Sequence, residues 1–316
     1  PPADVPEPAR DDAPEPLGWE VWAALFLVAW TGLMLGTTSL LMPVKVVSDG
    51  PIYHLYFAAR WWKAGKLFFV ASPFGESAAT YFPANGDLWF TWLMAAWGGD
   101  RFAKVGQVPF LLTAGAACFG AARELGARRS SAWLAVLLFA TSRPLLLFTF
   151  EANVDSIFCA GYLSAAYFLL RWGLGRDGRA ALWQAGLAAG LALGTKSVGN
   201  VFIPPLVLAG VWAVGRREGW RARPTLLGVA ALLAGVAVPS AFWFARNALT
   251  TGNPLYPLTV KVAGATLLSG WYGPDAMRRS VYYIPVENWR ALVDILVGVL
   301  DARTVPFWVA ALLGGG

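Results

Sequence analysis

The chain has 316 residues, of which 57% are apolar and only 14% are charged, and its mean hydropathy is +0.52. Soluble domains carry about 25% charged residues, so this composition excludes an ordinary soluble globular protein. The net charge of +6 does not indicate nucleic-acid binding, because the arginines lie in short turns between apolar stretches rather than along a basic stripe. With two cysteines and one histidine, the sequence indicates no disulfide framework and no cofactor.

The N-terminal segment differs in composition from the rest of the chain. Residues 1–18 are rich in proline, aspartate and glutamate and offer little to bury, so we expect a disordered tail. The tail lacks the basic region that opens a signal peptide, and the first apolar segment should therefore remain as an anchor. Residues 19–316 are expected to form one all-α transmembrane domain.

Apolar stretches long enough to approach the thickness of a bilayer core recur along this domain. They predict spans over residues 19–42, 102–122, 131–150, 154–172, 180–195, 197–214 and 224–245. The last apolar run begins at Thr304 and ends at Gly316, which is too short to cross a membrane. We therefore expect further spans to be missing at the C-terminal end.

The distribution of Lys and Arg predicts the orientation. The turns after the second, fourth and sixth predicted spans hold ten arginines, whereas the intervening turns hold one lysine, Lys196. The ten are Arg123, Arg128, Arg129, Arg171, Arg176, Arg179, Arg216, Arg217, Arg221 and Arg223. Because short cytoplasmic loops are enriched in Lys and Arg, two long segments, 43–101 and 246–303, should face the non-cytoplasmic side. The first of them reads as a set of interfacial helices.

The fifth and sixth predicted spans are interrupted by small residues and prolines. Gly186, Gly190 and Gly194 are followed by the pair Pro204-Pro205. Broken apolar segments of this kind are tolerated where the backbone lines a cavity rather than lipid. Lys196 lies at the junction, where an unpaired ammonium is costly unless it snorkels or meets an anion. A lipid phosphate is the anion expected at that depth.

The segment after the first span holds two further candidates. Asp49 precedes Pro51 in the run SDGPIYH, and it is either the N-cap of an interfacial helix or a carboxylate base that faces an outer cavity. His54 is either an aromatic-belt residue or a ligand for a phosphate or an acceptor.

Further polar residues lie in predicted outer turns. Asn85 and Asp87 are each either a helix cap or a sugar contact. Glu151 and Asp155 flank a short turn, where they either cap the next helix or form a second acidic site. Such acids could hold a divalent cation, but we expect no metal. Arg246 opens the second long segment as an interface anchor or a phosphate ligand.

Together these residues resemble the C-type glycosyltransferases, the multi-span enzymes that take sugars from polyprenyl-phosphate carriers. Protein O-mannosyltransferases and aminoarabinose transferases belong to this class. The similar features, in chain order, are the acid in SDGPIYH, the Asn-Val-Asp turn 153–155, the GLALGTK stretch ending in Lys196, and the WFARN…TGNPLYP run over 243–257.

The resemblance implies a membrane glycosyltransferase of the cell inner membrane, with its active site on the non-cytoplasmic side. Asp49 would activate the acceptor hydroxyl, and Lys196 and Arg246 would hold the donor phosphate. Glu151 or Asp155 would match the second outer acid. The implied partners are a polyprenyl-phosphate-linked sugar, membrane lipids, and a lipid, glycan or protein acceptor.

Two readings from other classes stay open on the residues alone. A transporter or flippase for an amphipathic anion or a lipid-linked sugar would use the same broken helices, with Lys196 in a midplane binding site. A non-catalytic membrane subunit would use the outer acids only as helix caps. No internal repeat supports the transporter, and a long aromatic outer loop is unnecessary for transport.

Overall fold

The computed structural model describes residues 16–42, 49–73, 77–220, 223–273, 276 and 288–293, and the statements below concern these residues. The predicted tail lies almost wholly outside them, as do the apolar run from Thr304 and much of the second long segment. The described part is helical apart from one short hairpin. Its α-helices are α1 Trp19–Leu41, α2 Leu55–Ala64, α3 Asn85–Trp97, α4 Val108–Glu124, α5 Arg129–Ala140, α6 Arg143–Thr149, α7 Asp155–Gly173, α8 Ala180–Leu193, α9 Gly199–Glu218 and α10 Arg223–Thr251.

Four segments are long and apolar enough to cross a membrane: α1, the stretch Ala103–Glu124 that contains α4, α9 and α10. Helix α8 has only 14 residues, in keeping with the short fifth span expected from the sequence. The all-α polytopic architecture is thereby confirmed. The window of α1 that qualifies as a span is not buried at all within the chain, so this helix offers most of its surface to lipid.

One predicted span is wrong. Residues 131–150 form two helices, α5 and α6, rather than one continuous span. The break falls at Ser142, whose backbone leaves the helical region (φ −53°, ψ 119°), and Pro144 lies in the first turn of α6. Proline lacks an N–H and clashes with the carbonyl one turn earlier, so it is tolerated at a helix start but not inside one.

The segment between α1 and α4 packs against the beginning of α7 and against α10. Its helices α2 and α3 pack against each other, and their buried side chains surround Ala152 and Val154 at the start of α7. A second cluster from the same segment contains Tyr53, Phe57 and Trp61 and packs against Trp243 of α10. Trp61 and Trp243 stack with ring centroids 6.3 Å apart. Helices of the first long segment are therefore anchored to two different parts of the bundle.

Helices α8 and α10 approach each other unusually closely because small residues line their contact. A Cβ at Gly186 would lie 2.2 Å from the carbonyl oxygen of Leu232, and one at Gly190 would lie 2.2 Å from that of Val236. Glycines spaced four residues apart allow this kind of backbone contact between helices in membranes. The interrupted apolar pattern of the fifth span thus serves helix packing.

The chain after α10 forms the one hairpin of the described residues. Strand β1 (Val260–Val262) pairs antiparallel with β2 (Ala265–Leu268). Asn253, which is 2% exposed, supports the hairpin base by donating from Nδ2 to the carbonyls of Leu258 and Ser269, each at 2.8 Å. No pattern in the sequence predicted these strands.

Candidate active site

Lys196 forms an ion pair with a carboxylate of the protein itself. Its Nζ lies 2.6 Å from Oδ1 of Asp155, the first residue of α7, and the two side chains are 30% and 25% exposed. Lys196 itself lies in the turn between α8 and α9, just beyond Gly194. The anionic partner that the sequence predicted for Lys196 is therefore a carboxylate, and the Lys196 side chain remains partly exposed.

Asp49 does not cap a helix through its side chain. It precedes a π-helical turn, Gly50–His54, and makes no side-chain cap hydrogen bond there. Its Oδ2 instead accepts a hydrogen bond from the Tyr53 hydroxyl at 3.1 Å. The Asp49 residue is exposed, so this carboxylate is held from one side and open on the other.

Several acidic residues affect the pKa of Tyr53. Burial raises the pKa of Tyr53 well above its ordinary value, and the charges of Asp49, Asp87 and Asp155 raise it further. The phenol therefore stays protonated at physiological pH and remains a donor toward Asp49. Asp155, the partner of Lys196, contributes the smallest part of this rise in pKa.

The backbone brings Asp49 to the turn that precedes α7. A Cβ at Gly50 would lie 2.3 Å from the carbonyl oxygen of Glu151, a separation that real Cβ atoms do not adopt. The first long segment thus rests directly on the turn between α6 and α7. Asp49 therefore lies next to the turn that holds Glu151 and leads to Asp155, about a hundred residues further along the chain.

His54 forms a buried pair with Asp87. The His54 Nδ1 and Asp87 Oδ1 atoms are 2.5 Å apart, and the two residues are 5% and 3% exposed. Burial raises the pKa of Asp87, and the neighbouring His54 opposes that rise. The Tyr53 ring packs on His54 at a centroid distance of 4.2 Å. His54 therefore supports the residue that holds Asp49.

Asn85 connects three elements. Its Nδ2 donates to the Pro239 carbonyl at 2.9 Å and lies 3.5 Å from that of Leu191, while its Oδ1 accepts from Trp243 Nε1 at 2.8 Å. The Asn85 amide thus connects α3 to α8 and α10 through hydrogen bonds. A sugar contact by Asn85 stays a prediction, but the structure gives this side chain a positioning role.

Arg246 lies near the C-terminal end of α10. Its guanidinium carbon is 4.6 Å from the ring centre of Phe69 and 4.9 Å from that of Trp243, and its Nε and Nη2 reach Asn247 Oδ1 at 3.3 and 3.1 Å. These contacts belong to the Trp243 cluster rather than to the Asp155–Lys196 pair. Its predicted role as a phosphate ligand stays untested.

Tyr53 was not anticipated as a functional residue, and Asp87 was predicted as a helix cap or a sugar contact rather than as the partner of His54. The spacing of Asp49 and Tyr53, four residues apart in one helical turn, was the available signal for the first. The contact of Asp87 with His54 spans 33 residues and had no local signal. Within the described residues, no group of three His, Cys, Asp or Glu side chains is arranged to hold a metal ion.

The fold and these side chains define a polytopic helical membrane protein with a carboxylate–ammonium site at one end of its helices. Over residues 85–243 the chain matches the family model described as dolichyl-phosphate-mannose-protein mannosyltransferase. The match covers half of the chain, which therefore belongs to this family and is a membrane glycosyltransferase. Neither the search of curated proteins nor the search of solved structures gave a match.

The matched segment divides the candidate residues into two groups. It contains Asn85, Glu151, Asp155 and Lys196. It begins after Asp49 and His54 and ends before Arg246. Its first and last residues, Asn85 and Trp243, are hydrogen-bonded to each other at 2.8 Å. The two ends of the segment that matches the family model therefore lie next to each other in the structure.

Proposed function

We propose that this enzyme transfers a sugar from a polyprenyl-phosphate carrier to the hydroxyl group of a lipid, glycan or protein acceptor. The observation that supports this most is the contact of Gly50 with Glu151, which places Asp49 next to the turn that leads to the Asp155–Lys196 pair. Displacing a phosphate from an anomeric carbon needs a base at the attacking hydroxyl and a cation at the leaving oxygen. Both kinds of group are present here.

Asp49 is the proposed base. Its carboxylate is exposed and oriented by the Tyr53 hydroxyl, so that one oxygen is held while the other can accept a proton. The acceptor oxygen forms a new bond to the anomeric carbon as the bond from that carbon to the phosphate oxygen breaks. The acceptor proton passes to Asp49, and the polyprenyl phosphate leaves with the electron pair. The family resemblance implies inversion at the anomeric carbon.

Lys196 is the proposed phosphate ligand. An ammonium has three donors, and the 2.6 Å contact with Asp155 uses one of them. The partial exposure of Lys196 leaves its remaining donors able to reach a phosphate at the bilayer surface. Asp155 fixes the ammonium in place, which matches the role of a second outer acid. Arg246 would be a further phosphate ligand at the end of α10.

An apolar groove supports a lipid-linked donor. A cavity of about 480 Å³ lies between α1 and the helices α4 to α6. Its lining is almost wholly apolar and includes Gly32, Gly36, Leu112 and Phe150. Phe150 immediately precedes Glu151, and Ser39 of α1 donates to the Phe150 carbonyl at 2.8 Å. A polyprenyl chain in this groove would bring its phosphate toward the Glu151–Asp155 turn.

The proposed side of the membrane follows from the positive-inside rule. The arginine-rich turns follow α4, α7 and α9, whereas Asp155 and Lys196 lie at the other ends of α7 and α9. With those arginines in the cytoplasm, the site opens on the non-cytoplasmic side of the inner membrane.

Asp49→Asn tests the proposal. In the full chain reconstituted in liposomes, polyprenyl-phosphate mannose would be the donor, and transfer to a mixture of membrane-extracted acceptors would be followed with radiolabel. We expect transfer to fall at least a hundredfold, while the detergent melting temperature stays unchanged. Asp100→Asn is the matched control, because Asp100 is also an exposed aspartate of the first long segment. Full activity in Asp49→Asn would remove this residue from the mechanism.

A further inference from the structure

A second cavity lies at the end of the bundle opposite to the Asp155–Lys196 pair. It measures about 770 Å³ and is lined by Gly173 at the end of α7, by Gly175 just beyond it, and by Trp212, Arg216 and Arg217 of α9. Helix α7 separates the two places, since Asp155 is its first residue and Gly173 its last. At 1.5 Å per residue, its 19 residues put them about 28 Å apart. This distance is close to the thickness of a bilayer core.

The two arginines of this cavity rest on aromatic rings. The Arg217 guanidinium carbon lies 4.1 Å from the ring centre of Trp172, and its Nη1 donates to the Trp172 carbonyl. The Arg216 guanidinium carbon lies 5.6 Å from the ring centre of Trp212, which is 59% exposed. The cavity therefore combines two cations with an indole on the outer surface, as expected at a membrane–water interface.

Three other arginines at this end of the bundle are paired with carboxylates. Arg171 binds Asp177 at 2.6 Å and lies 3.4 Å from Glu124, Arg176 also binds Glu124, and Arg179 lies 3.6 Å from Glu218. Across the part of the chain that the structure describes, no carboxylate pairs with Arg216 or Arg217. Two cations at one cavity thus keep their charge available to an external anion.

Two of the residues that line the cavity are glycines, which leave space beside the arginines. A Cβ at Gly173 would meet no atom within 4 Å, and Gly175 has a positive φ of 75° that side chains rarely adopt. The nearest atom to a Cβ at Gly175 would be Nη2 of Arg217, at 4.0 Å. A phosphate group between these glycines and Arg217 would therefore find space as well as a charged donor.

We propose that this cavity binds the head group of an anionic phospholipid of the surrounding leaflet. The phosphate would accept from Arg216 and Arg217, and the exposed Trp212 ring would pack on the glycerol and the first methylenes of the lipid. Basic pockets between helices at the cytoplasmic surface bind lipid head groups in this way. The site is independent of sugar transfer and rests only on the membrane location of the helices.

Native mass spectrometry of the full chain in detergent, with dioleoylphosphatidylglycerol as the probe, tests this proposal. We expect Arg216→Gln to weaken lipid binding about tenfold, the equivalent of one charge-assisted hydrogen bond. Arg216 is the informative position because its described contact is with the exposed Trp212 ring alone. The variant Arg128→Gln is the charge-matched control, since it removes one exposed arginine from another turn at the same end and should bind the lipid normally.

Two further measurements decide the identity of the ligand. Dioleoylphosphatidylcholine should bind equally weakly to the parent chain and to Arg216→Gln, because its head group carries no net charge. Free glycerol phosphate should not displace the lipid at equal concentration. Equal lipid binding by Arg216→Gln and the parent would overturn the proposal, as would displacement by glycerol phosphate, which would indicate a site for a soluble phosphate.

Discussion

Gly50 and Glu151 are in direct backbone contact: a Cβ at position 50 would lie 2.3 Å from the Glu151 carbonyl oxygen. This contact sets the place of the neighbouring Asp49 relative to the turn that leads into α7. The proposed base is therefore positioned by packing between two segments that are a hundred residues apart in the chain.

Gly50→Ala should separate these two segments. The added methyl cannot fit against a backbone carbonyl, and overpacking of this kind costs about 1 to 3 kcal/mol. We expect a lower melting temperature and a loss of transfer activity of at least tenfold, since Asp49 would move. Gly99→Ala is the control, because a Cβ there would meet no atom within 4 Å. Unchanged activity in Gly50→Ala would show that the contact does not position Asp49.

Lys196→Ala should weaken the binding of polyprenyl phosphate at least tenfold, which corresponds to about 1.4 kcal/mol. The measurement is equilibrium binding to the protein in detergent, with polyprenyl phosphate as the probe. The double variant K196A/D155N distinguishes two roles of the lysine, because it also removes the carboxylate left without its partner. If Lys196 only neutralised Asp155, the double variant would bind the phosphate as well as the parent chain does.

His54→Ala should make stability depend more strongly on pH. Burial raises the pKa of Asp87 and His54 opposes this rise, so the variant should have a still higher Asp87 pKa in the folded state. The folded chain then holds a proton that the unfolded chain releases near pH 4. Stability should therefore fall as the pH rises from about 4 through the folded pKa.

The melting temperature between pH 5 and 8 measures this dependence. Removing one partner of a buried pair costs about 3 kcal/mol when the other stays charged. The double variant H54A/D87N has no carboxyl at position 87 and should lose the added pH dependence. Parallel pH profiles for His54→Ala and the parent would contradict the assignment of the pair.

Asn85→Ala should destabilise the bundle by about 2 to 3 kcal/mol, because the change removes hydrogen bonds to Pro239 and Trp243. The measurement is thermal unfolding in detergent. Asn200→Ala is the matched control, since the described structure gives the Asn200 side chain no hydrogen bond. An equal melting temperature for Asn85→Ala and Asn200→Ala would show that the amide does not join α3 to α10.

Much of the helical architecture could be predicted, because apolar stretches and their Gly and Pro interruptions are local properties of the sequence. The exception at Ser142 is instructive. Residues 131–150 have the length of a span, but the proline at 144 was not given the weight that its missing N–H requires. The hairpin over residues 260–268 was also missed, since its support comes from Asn253 and from residues outside the strands.

The candidate site was predictable in its residue types but not in its pairings. Lys196 was expected to need an anion, and the sequence pointed to a lipid phosphate; the structure adds Asp155, 41 residues away. The sequence left open whether Asp49 caps a helix or acts as a base. Its side chain makes no cap hydrogen bond, which argues against the capping role. His54 was expected in an aromatic belt, and its buried contact with Asp87 depends on how α2 and α3 pack.

The length of α10 has a consequence for the height of the site above the membrane. Its 29 residues extend about 44 Å, whereas a bilayer core is about 30 Å thick. With Arg223 at one polar surface, a final stretch of about 14 Å, or about two and a half turns, projects beyond the acyl chains on the other. Arg246 then lies at the level of the lipid phosphates, where a carrier's own phosphate would travel as it diffuses in the leaflet.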